Sequence, residues 1–239
     1  MTAIDDPAQR KTLSYDKIGR IKKDIRIIKA AGAIKYVTDY EYDLFGRKKK
    51  IIYPEDKHNR CRAVVTYGYC AMGVTSLSVD TGETKKQIVK NILYNEHGQM
   101  KEIRRGNNTV TCYTYDNKLR LTHQRTTAEN NGQTWNVQNI TYRFKVDDSI
   151  AEMTNTPTVS HDGAFQSAIQ YTYRYDGLNR LTHASGYYEK IRSTGTSLPV
   201  VRRYERGYAY SSNGNMMAKT MYDPESHSRE DNWTYKYTN

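Results

Sequence analysis

Residues Tyr40 to Lys50 read YEYDLFGRKKK, and the same outline returns as YTYDNKLRLTH from Tyr113 to His123 and as YRYDGLNRLTH from Tyr173 to His183. Each copy is Tyr-x-Tyr-Asp, two turn-forming residues, Gly or a substitute, then Arg. Side chains alternate across a strand, so Tyr40 and Tyr42, Tyr113 and Tyr115, and Tyr173 and Tyr175 each share one face. Asp43 then opens a type I turn whose end suits Gly46. Glycine takes a positive φ there without a Cβ clash, which gives a bulged hairpin connection. The Asp side chain can accept from backbone N–H groups inside the turn. After the turn Arg47 leads the chain back, outward or toward the sheet edge. One motif thus predicts one β-hairpin.

With the second aromatic as anchor, the pattern extends from Tyr15 through Tyr42, Tyr69, Tyr94, Tyr115, Phe144, Tyr175 and Tyr210 to Tyr237, at steps of 21 to 35 residues. Self-similarity at such a period signals a repeat architecture. Two residues before the anchors stand Leu13, Tyr40, Tyr67, Ile92, Tyr113, Tyr142, Tyr173, Tyr208 and Tyr235. Gly19, Gly46, Gly73, Gly98 and Gly214 lie four beyond, and Arg20, Arg47, Arg120 and Arg180 five beyond. Six beyond come Ile21, Met100, Leu121, Ile150, Leu181 and Met216, with Lys48 and Thr75 breaking the column. Leu119 and Asn179 replace the turn glycine in two copies, so those turns should be looser or of another type. The units at Tyr69 and Phe144 are the most worn.

The chain carries 22 Tyr against 3 Phe, 26% charged residues and a net charge of +11. Charge at that level with few aliphatics leans toward disorder. The tyrosines reverse the inference, because each buries a ring while its hydroxyl keeps a polar partner. The expected fold is all-β with a thin aromatic core. Residues 1–239 read as a single repeat region of about nine antiparallel hairpins, forming a curved, unclosed strip. Glu83 to Asn95 has helix-like apolar spacing, but its place in the repeat favours a strand. The polar stretches Thr126 to Asn139, Met153 to Ser167, Ser193 to Leu198 and Pro224 to Asn232 read as long hairpin connections.

No catalytic set stands out: GxSxG, HExxH, a phosphate loop and CxxC are all missing. Asp16, Asp43, Asp116 and Asp176 recur as turn openers, whereas catalytic carboxylates come as non-repeating pairs in unlike environments. The 3 cysteines (Cys61, Cys70, Cys112) make no disulfide framework, and with 6 scattered histidines they suit no zinc site. No metal, cofactor or catalytic residue is expected. No apolar run approaches the ~18 residues needed to cross a bilayer, and no signal peptide is visible. The arginines suit stacking on tyrosines of adjacent hairpins. Basic groups at Lys22-Lys23, Arg47 to Lys50, Arg104-Arg105 and Arg202-Arg203 offer attraction to an acidic glycan. Their dispersal along the chain argues against nucleic acid.

These units resemble the YD repeat of the RHS family of polymorphic toxins, found also in toxin-complex C proteins, wall-associated proteins and teneurins. The resemblance runs from about Leu13 to the last residue. It implies a strip of hairpins that, in complete members, spirals into a hollow shell around a toxic polypeptide. By that likeness the partners are the remainder of a shell and an enclosed toxin polypeptide, and the setting is secreted or cell-surface. The residues carrying the repeat are Tyr40, Tyr42, Asp43, Gly46, Arg47, Tyr113, Tyr115, Asp116, Arg120, Tyr173, Tyr175, Asp176 and Arg180. The aspartyl self-cleavage segment of toxin members has no counterpart here, and Asp223-Pro224 reads as an ordinary turn. The ending WTYKYTN, inside another Tyr-x-Tyr, reads as a truncation.

Overall fold

A computed structural model describes residues 2–29, 32–56, 60–130, 132–157, 166–191, 200–223 and 229–236. Its regular elements are β-strands, apart from a single residue of 3-10 turn. The chain divides into two compact units, Met1–Asn108 and Thr109–Asn239. The first holds β1 (Thr2–Asp5), β2 (Gln9–Tyr15), β3 (Ile21–Ile28), β4 (Ile34–Tyr42), β5 (Lys48–Glu55), β6 (Arg62–Tyr69), β7 (Val74–Asp80), β8 (Lys85–Tyr94) and β9 (Met100–Arg105). The second holds β10 (Thr109–Tyr115), β11 (Leu121–Asn130), β12 (Gln133–Phe144), β13 (Ile150–Asn155), β14 (Gln166–Tyr175), β15 (Leu181–Ile191), β16 (Val200–Tyr210), β17 (Met216–Tyr222) and β18 (Arg229–Thr234). Within each unit every strand pairs antiparallel with the next. No pairing joins β1 to β9 or β10 to β18 among the described residues, so neither unit closes into a barrel.

Each anchor from Tyr15 to Tyr210 ends the first strand of a hairpin, and each of these hairpins carries one extra residue at the same place. Tyr42 pairs with Lys48 but Glu41 with Lys50, which leaves Lys49 unpaired as a bulge. The same one-residue shift follows Tyr15, Tyr69, Tyr94, Tyr115, Phe144, Tyr175 and Tyr210. A bulge bends its strand and raises the local twist. In two hairpins the bulge residue is a threonine whose hydroxyl donates to a carbonyl across the ladder, Thr122 to Thr114 at 3.1 Å and Thr182 to Arg174 at 3.2 Å.

Burial is shallow. Among the described residues only Asp24, Ile103, Thr111, Ile140 and Ala184 are buried. The accessible surface is 16269 Å², against about 11,000 Å² for a compact chain of this length. Among the described residues each unit is a single sheet. Tyr-x-Tyr pairs line one face: Tyr67 and Tyr69 stack at 6.3 Å, and Tyr171 and Tyr173 at 6.5 Å. In the second unit the other face is polar, with Thr172 to Ser185 at 2.7 Å and His183 to Glu205 at 3.4 Å, whereas in the first it carries an aliphatic run in which Ile25 pairs with Val37 and Ile52 with Val64.

Three expectations need correction. Thr126 to Asn139 is mostly strand, because threonine and glutamine ladders hold it: Thr111 to Thr126 at 2.9 Å and Gln124 to Gln138 at 2.7 Å. Pro224 to Asn232 likewise ends in β18, from Arg229 onward. Thr75 leaves its column because the hairpin after Tyr69 is one residue shorter, so Val74 pairs with the anchor. The remaining correction concerns Leu119 and Asn179, taken up below. Glu83 to Asn95 is strand from Lys85 onward. Met153 to Ser167 begins in β13, to Asn155, and ends in β14, from Gln166; residues 158–165 and 224–228, Ser193 to Leu198 and the anchor Tyr237 lie outside the described residues.

Candidate functional site: the clasp between hairpins

The repeat residues converge on one edge of each unit, where the turns lie. In the hairpin of β4 and β5, the Asp43 N–H donates to the Arg47 carbonyl at 2.9 Å and the Gly46 N–H to the Asp43 carbonyl at 3.1 Å. Asp43 Oδ1 accepts from the N–H groups of Phe45 and Arg47, both at 2.9 Å, while Oδ2 accepts from Arg47 Nε at 2.7 Å. Gly46 sits at φ 81. One carboxylate thus satisfies the turn backbone and fixes the arginine. Burial opposes ionisation of Asp43, yet the Arg47 and Phe45 donors outweigh it and hold the carboxyl below its usual range.

The other copies repeat this geometry. The Asp16–Arg20, Asp116–Arg120 and Asp176–Arg180 pairs each place Nε 2.7 Å from Oδ2. The Arg120 side chain is the largest influence lowering the Asp116 pKa, and the Arg180 N–H the largest lowering that of Asp176. Leu119 and Asn179 do not loosen their turns. They adopt φ 64 and φ 58, and their N–H groups reach Asp116 and Asp176 carbonyls at 2.9 and 3.0 Å. The Asp–Arg clasp fixes the loop from both ends, so the residue between takes the left-handed conformation whatever its identity. The turn at Asn95 rebuilds the clasp from amides: Asn95 Oδ1 accepts from the His97 and Gln99 N–H groups, and Asn95 Nδ2 donates to Gln99 Oε1 at 3.1 Å.

A further set of contacts joins one hairpin to the next. The Arg47 guanidinium lies over the Tyr69 ring at 4.3 Å, and its Nη1 donates to the Cys70 carbonyl at 2.8 Å. Arg20 covers Tyr42 at 4.5 Å, Arg120 covers Phe144 at 4.5 Å and Arg180 covers Tyr210 at 5.0 Å. Lys145 takes the same place over Tyr175 at 4.9 Å. In the opposite direction, anchor hydroxyls donate to carbonyls of the preceding hairpin: Tyr42 to Ile21 at 2.8 Å, Tyr69 to Lys48 at 2.6 Å, Tyr94 to Val74 at 2.7 Å and Tyr210 to Leu181 at 2.9 Å. Where Phe144 lacks a hydroxyl, Asp148 supplies the link, accepting from both Lys118 and Arg120. These hydroxyl bonds and the direction of the arginine contact escape sequence reading. The signal that could have found them is the excess of Tyr over Phe at anchors, since a ring wanted only for packing needs no hydroxyl.

Tyr40, Tyr113 and Tyr173 stand two residues before the turns and take no part in the clasp. Lys48 Nζ lies 5.1 Å from the Tyr40 ring. Burial raises the phenol pKa of Tyr40, Tyr42, Tyr69, Tyr115, Tyr173, Tyr175 and Tyr210 above the ordinary value. No group of three or more His, Cys, Asp or Glu among the described residues could hold a metal. The described residues contain no helix long and apolar enough to cross a membrane.

No protein-family model matches the chain. In sequence it is 28% identical over 152 residues to the toxin subunit YenC2 of Yersinia entomophaga, a match spanning 57% of this chain and 16% of that protein. In structure it is similar to a TcdB2–TccC3 complex without its hypervariable C-terminal region (TM-score 0.75, 18% identity), with 96% of this chain and 12% of that one covered. A Photorhabdus luminescens Tc holotoxin pore gives TM-score 0.74 at 17% identity, over 94% of this chain and 12% of that one. The chain therefore spans less than a fifth of the molecules it matches. Its fold is that of RHS/YD-repeat shells, and the likeness to YenC2 supports the same family.

Proposed function

We propose that this chain is a wall segment of an RHS/YD-repeat toxin shell, a non-enzymatic piece that helps to encapsulate, carry or present a toxin polypeptide in bacterial competition or host attack. The observation that carries the reading is the clasp, which ties each hairpin to its neighbour in a sheet one layer thick. Such a sheet makes a wall rather than a core. In the second unit its two faces differ, one lined by tyrosine rings and one by Thr, His, Glu and Arg, as a partition between two environments requires. The similarity to a toxin subunit and to toxin-complex structures supports the same reading. On this reading residues 1–239 form a single repeat region, the repeat residues act structurally, the partners are further shell and an enclosed polypeptide, and the setting is secreted or cell-surface.

The test is protection. In the longest product encoded around this stretch, further Tyr-x-Tyr-Asp units should flank it, and a variable C-terminal segment should resist added protease until the shell is denatured. Cleavage of that segment at equal rates in native and denatured protein would overturn the proposal.

A second reading, binding of an acidic glycan or other polyanion, is favoured by one place. Lys86, Lys90 and Arg105 line a shallow hollow beside the β8–β9 hairpin. Binding there should be saturable and should weaken with salt, since exposed charges are screened. Binding unchanged by Lys86→Gln with Lys90→Gln would remove this reading.

A further inference from the structure

The tips of the hairpins are apolar where turn chemistry would supply polar residues. In the first unit, Ile18 at the β2–β3 tip is 73% exposed, Leu44 and Phe45 at the β4–β5 tip are 102% and 83% exposed, and Met72 at the β6–β7 tip is 53% exposed. The fourth tip changes to Glu96 and His97. In the second unit Val146 and Leu178 are exposed at two tips, while the tips at Asn117-Lys118 and Ser212-Asn213 are polar. The first unit thus sets three apolar tips in succession. Large apolar side chains in a contiguous exposed row mark an interaction surface.

We infer that the row Ile18, Leu44, Phe45 and Met72 is an edge-to-edge docking surface, and that its occupant is the same edge of a second copy of this chain. Geometry supports the choice. Adjacent strands lie about 4.8 Å apart, so tips recur roughly every 9.6 Å, with a gap between them about one side chain wide. A comb of that pitch is self-complementary: the knobs of one copy enter the gaps of another turned about a two-fold axis. The four residues expose on the order of 600 Å² per copy, so docking that covers them completely buries about 1,200 Å² over the pair, the lower bound for a specific interface. The tips are also held rigid. Asp16 with Arg20 and Asp43 with Arg47 fix the two turns that carry Ile18, Leu44 and Phe45, so docking orders little that is loose. Those same pairs neutralise their own charges. Lys17 flanks the row, and the net charge of +11 sets copies against each other. Salt therefore strengthens this association, the opposite of its effect on polyanion binding.

The experiment is sedimentation of the whole 239-residue chain over a range of concentration and salt. The expected result is reversible dimerisation that strengthens with salt. Replacing Ile18, Leu44, Phe45 and Met72 together by serine should weaken it at least tenfold, with unchanged circular dichroism. Ile4→Lys, which blocks pairing through the exposed β1 edge, should leave it intact. A second readout does not depend on the serine variant folding: in Phe45→Trp, tip fluorescence should shift to the blue as concentration rises. A chain that stays monomeric, a serine variant that associates like the parent, loss of association in Ile4→Lys alone, or a tryptophan that stays solvated at every concentration would each overturn the inference. None of these outcomes bears on protease protection in a longer shell product.

Discussion

At the residue scale the repeat is a division of labour between one acid and one base. Asp43 caps the turn with Oδ1 and holds Arg47 with Oδ2, so the guanidinium is delivered to the next hairpin already oriented. The carboxyls of Asp16, Asp43, Asp116 and Asp176 all lie below their usual range. An acid depressed by folding contributes in full above its unfolded pKa, about 3.9, and loses that contribution as pH falls through the folded value. The melting temperature should therefore fall as pH drops below about 4. Asp43→Asn should flatten part of that slope while keeping the turn, because Asn95 already caps a turn as an amide. An unchanged acid slope in that variant would contradict the clasp. Phenols behave in the reverse sense. Tyr204 is pushed by burial up to about 12. Its contribution is complete below the ordinary value of about 10 and fades as pH rises through the folded one. Ultraviolet titration should show tyrosinate forming late, with unfolding on the way. Removing one anchor hydroxyl in Tyr42→Phe leaves the Ile21 carbonyl without that donor and should cost about 1 kcal/mol, read from denaturant midpoints.

At the scale of the element, the hairpin was legible because three physical demands coincide in a few letters. Tyr40 and Tyr42 reveal the strand, Asp43 the turn and Gly46 the positive φ. The bulge was not legible. Lys49, Ala151, Thr182 and Met217 share no residue type, because an unpaired residue in a bulge is selected for by backbone spacing. Nor were the turns at Leu119 and Asn179, whose shape is imposed by Asp116–Arg120 and Asp176–Arg180 rather than by the residue between. Leu119 in the left-handed region carries a strain of about 1–2 kcal/mol. Replacing it by glycine relieves that strain but loosens the unfolded chain by about 0.4–1 kcal/mol. Leu119→Gly should therefore raise the melting temperature by roughly 2 °C, whereas Gly46→Val should lower it more than Arg47→Ala does. Close approach decides the other informative glycine. Tyr171 and Tyr204 meet over Gly186 with ring centroids 5.6 Å apart. A Cβ there would lie 2.5 Å from the Gln170 carbonyl oxygen and 2.7 and 2.9 Å from the two rings. Gly186→Ala should cost about 1–3 kcal/mol by overpacking. A variant as stable as the parent would mean that the two rings do not close there.

For the whole molecule, the clasp answers a problem set by thinness. A sheet with no second layer cannot draw its stability from a deep core, and Leu, Ile and Val are sparse here. What the chain has instead is a linear series of neighbour contacts, so its stability should be nearly additive along the strip, as in other repeat proteins. The sequence announced this through the anchors, but not how little is buried, because one tyrosine letter serves for a covered ring and for a half-open one. The surface makes the consequence measurable. Folding removes about 24,000 Å² from water by extended-chain reckoning, against about 29,000 Å² for a compact chain of equal length. Heat capacity of unfolding follows the surface newly exposed, so it should fall below the usual 12–15 cal/mol/K per residue by roughly a fifth. Scanning calorimetry of the isolated chain measures this directly. A heat capacity at or above the compact range would mean that its two sheet faces are covered in solution, by each other or by a second copy. In that case the tip variants already described distinguish the sources, since edge docking buries far less than a face.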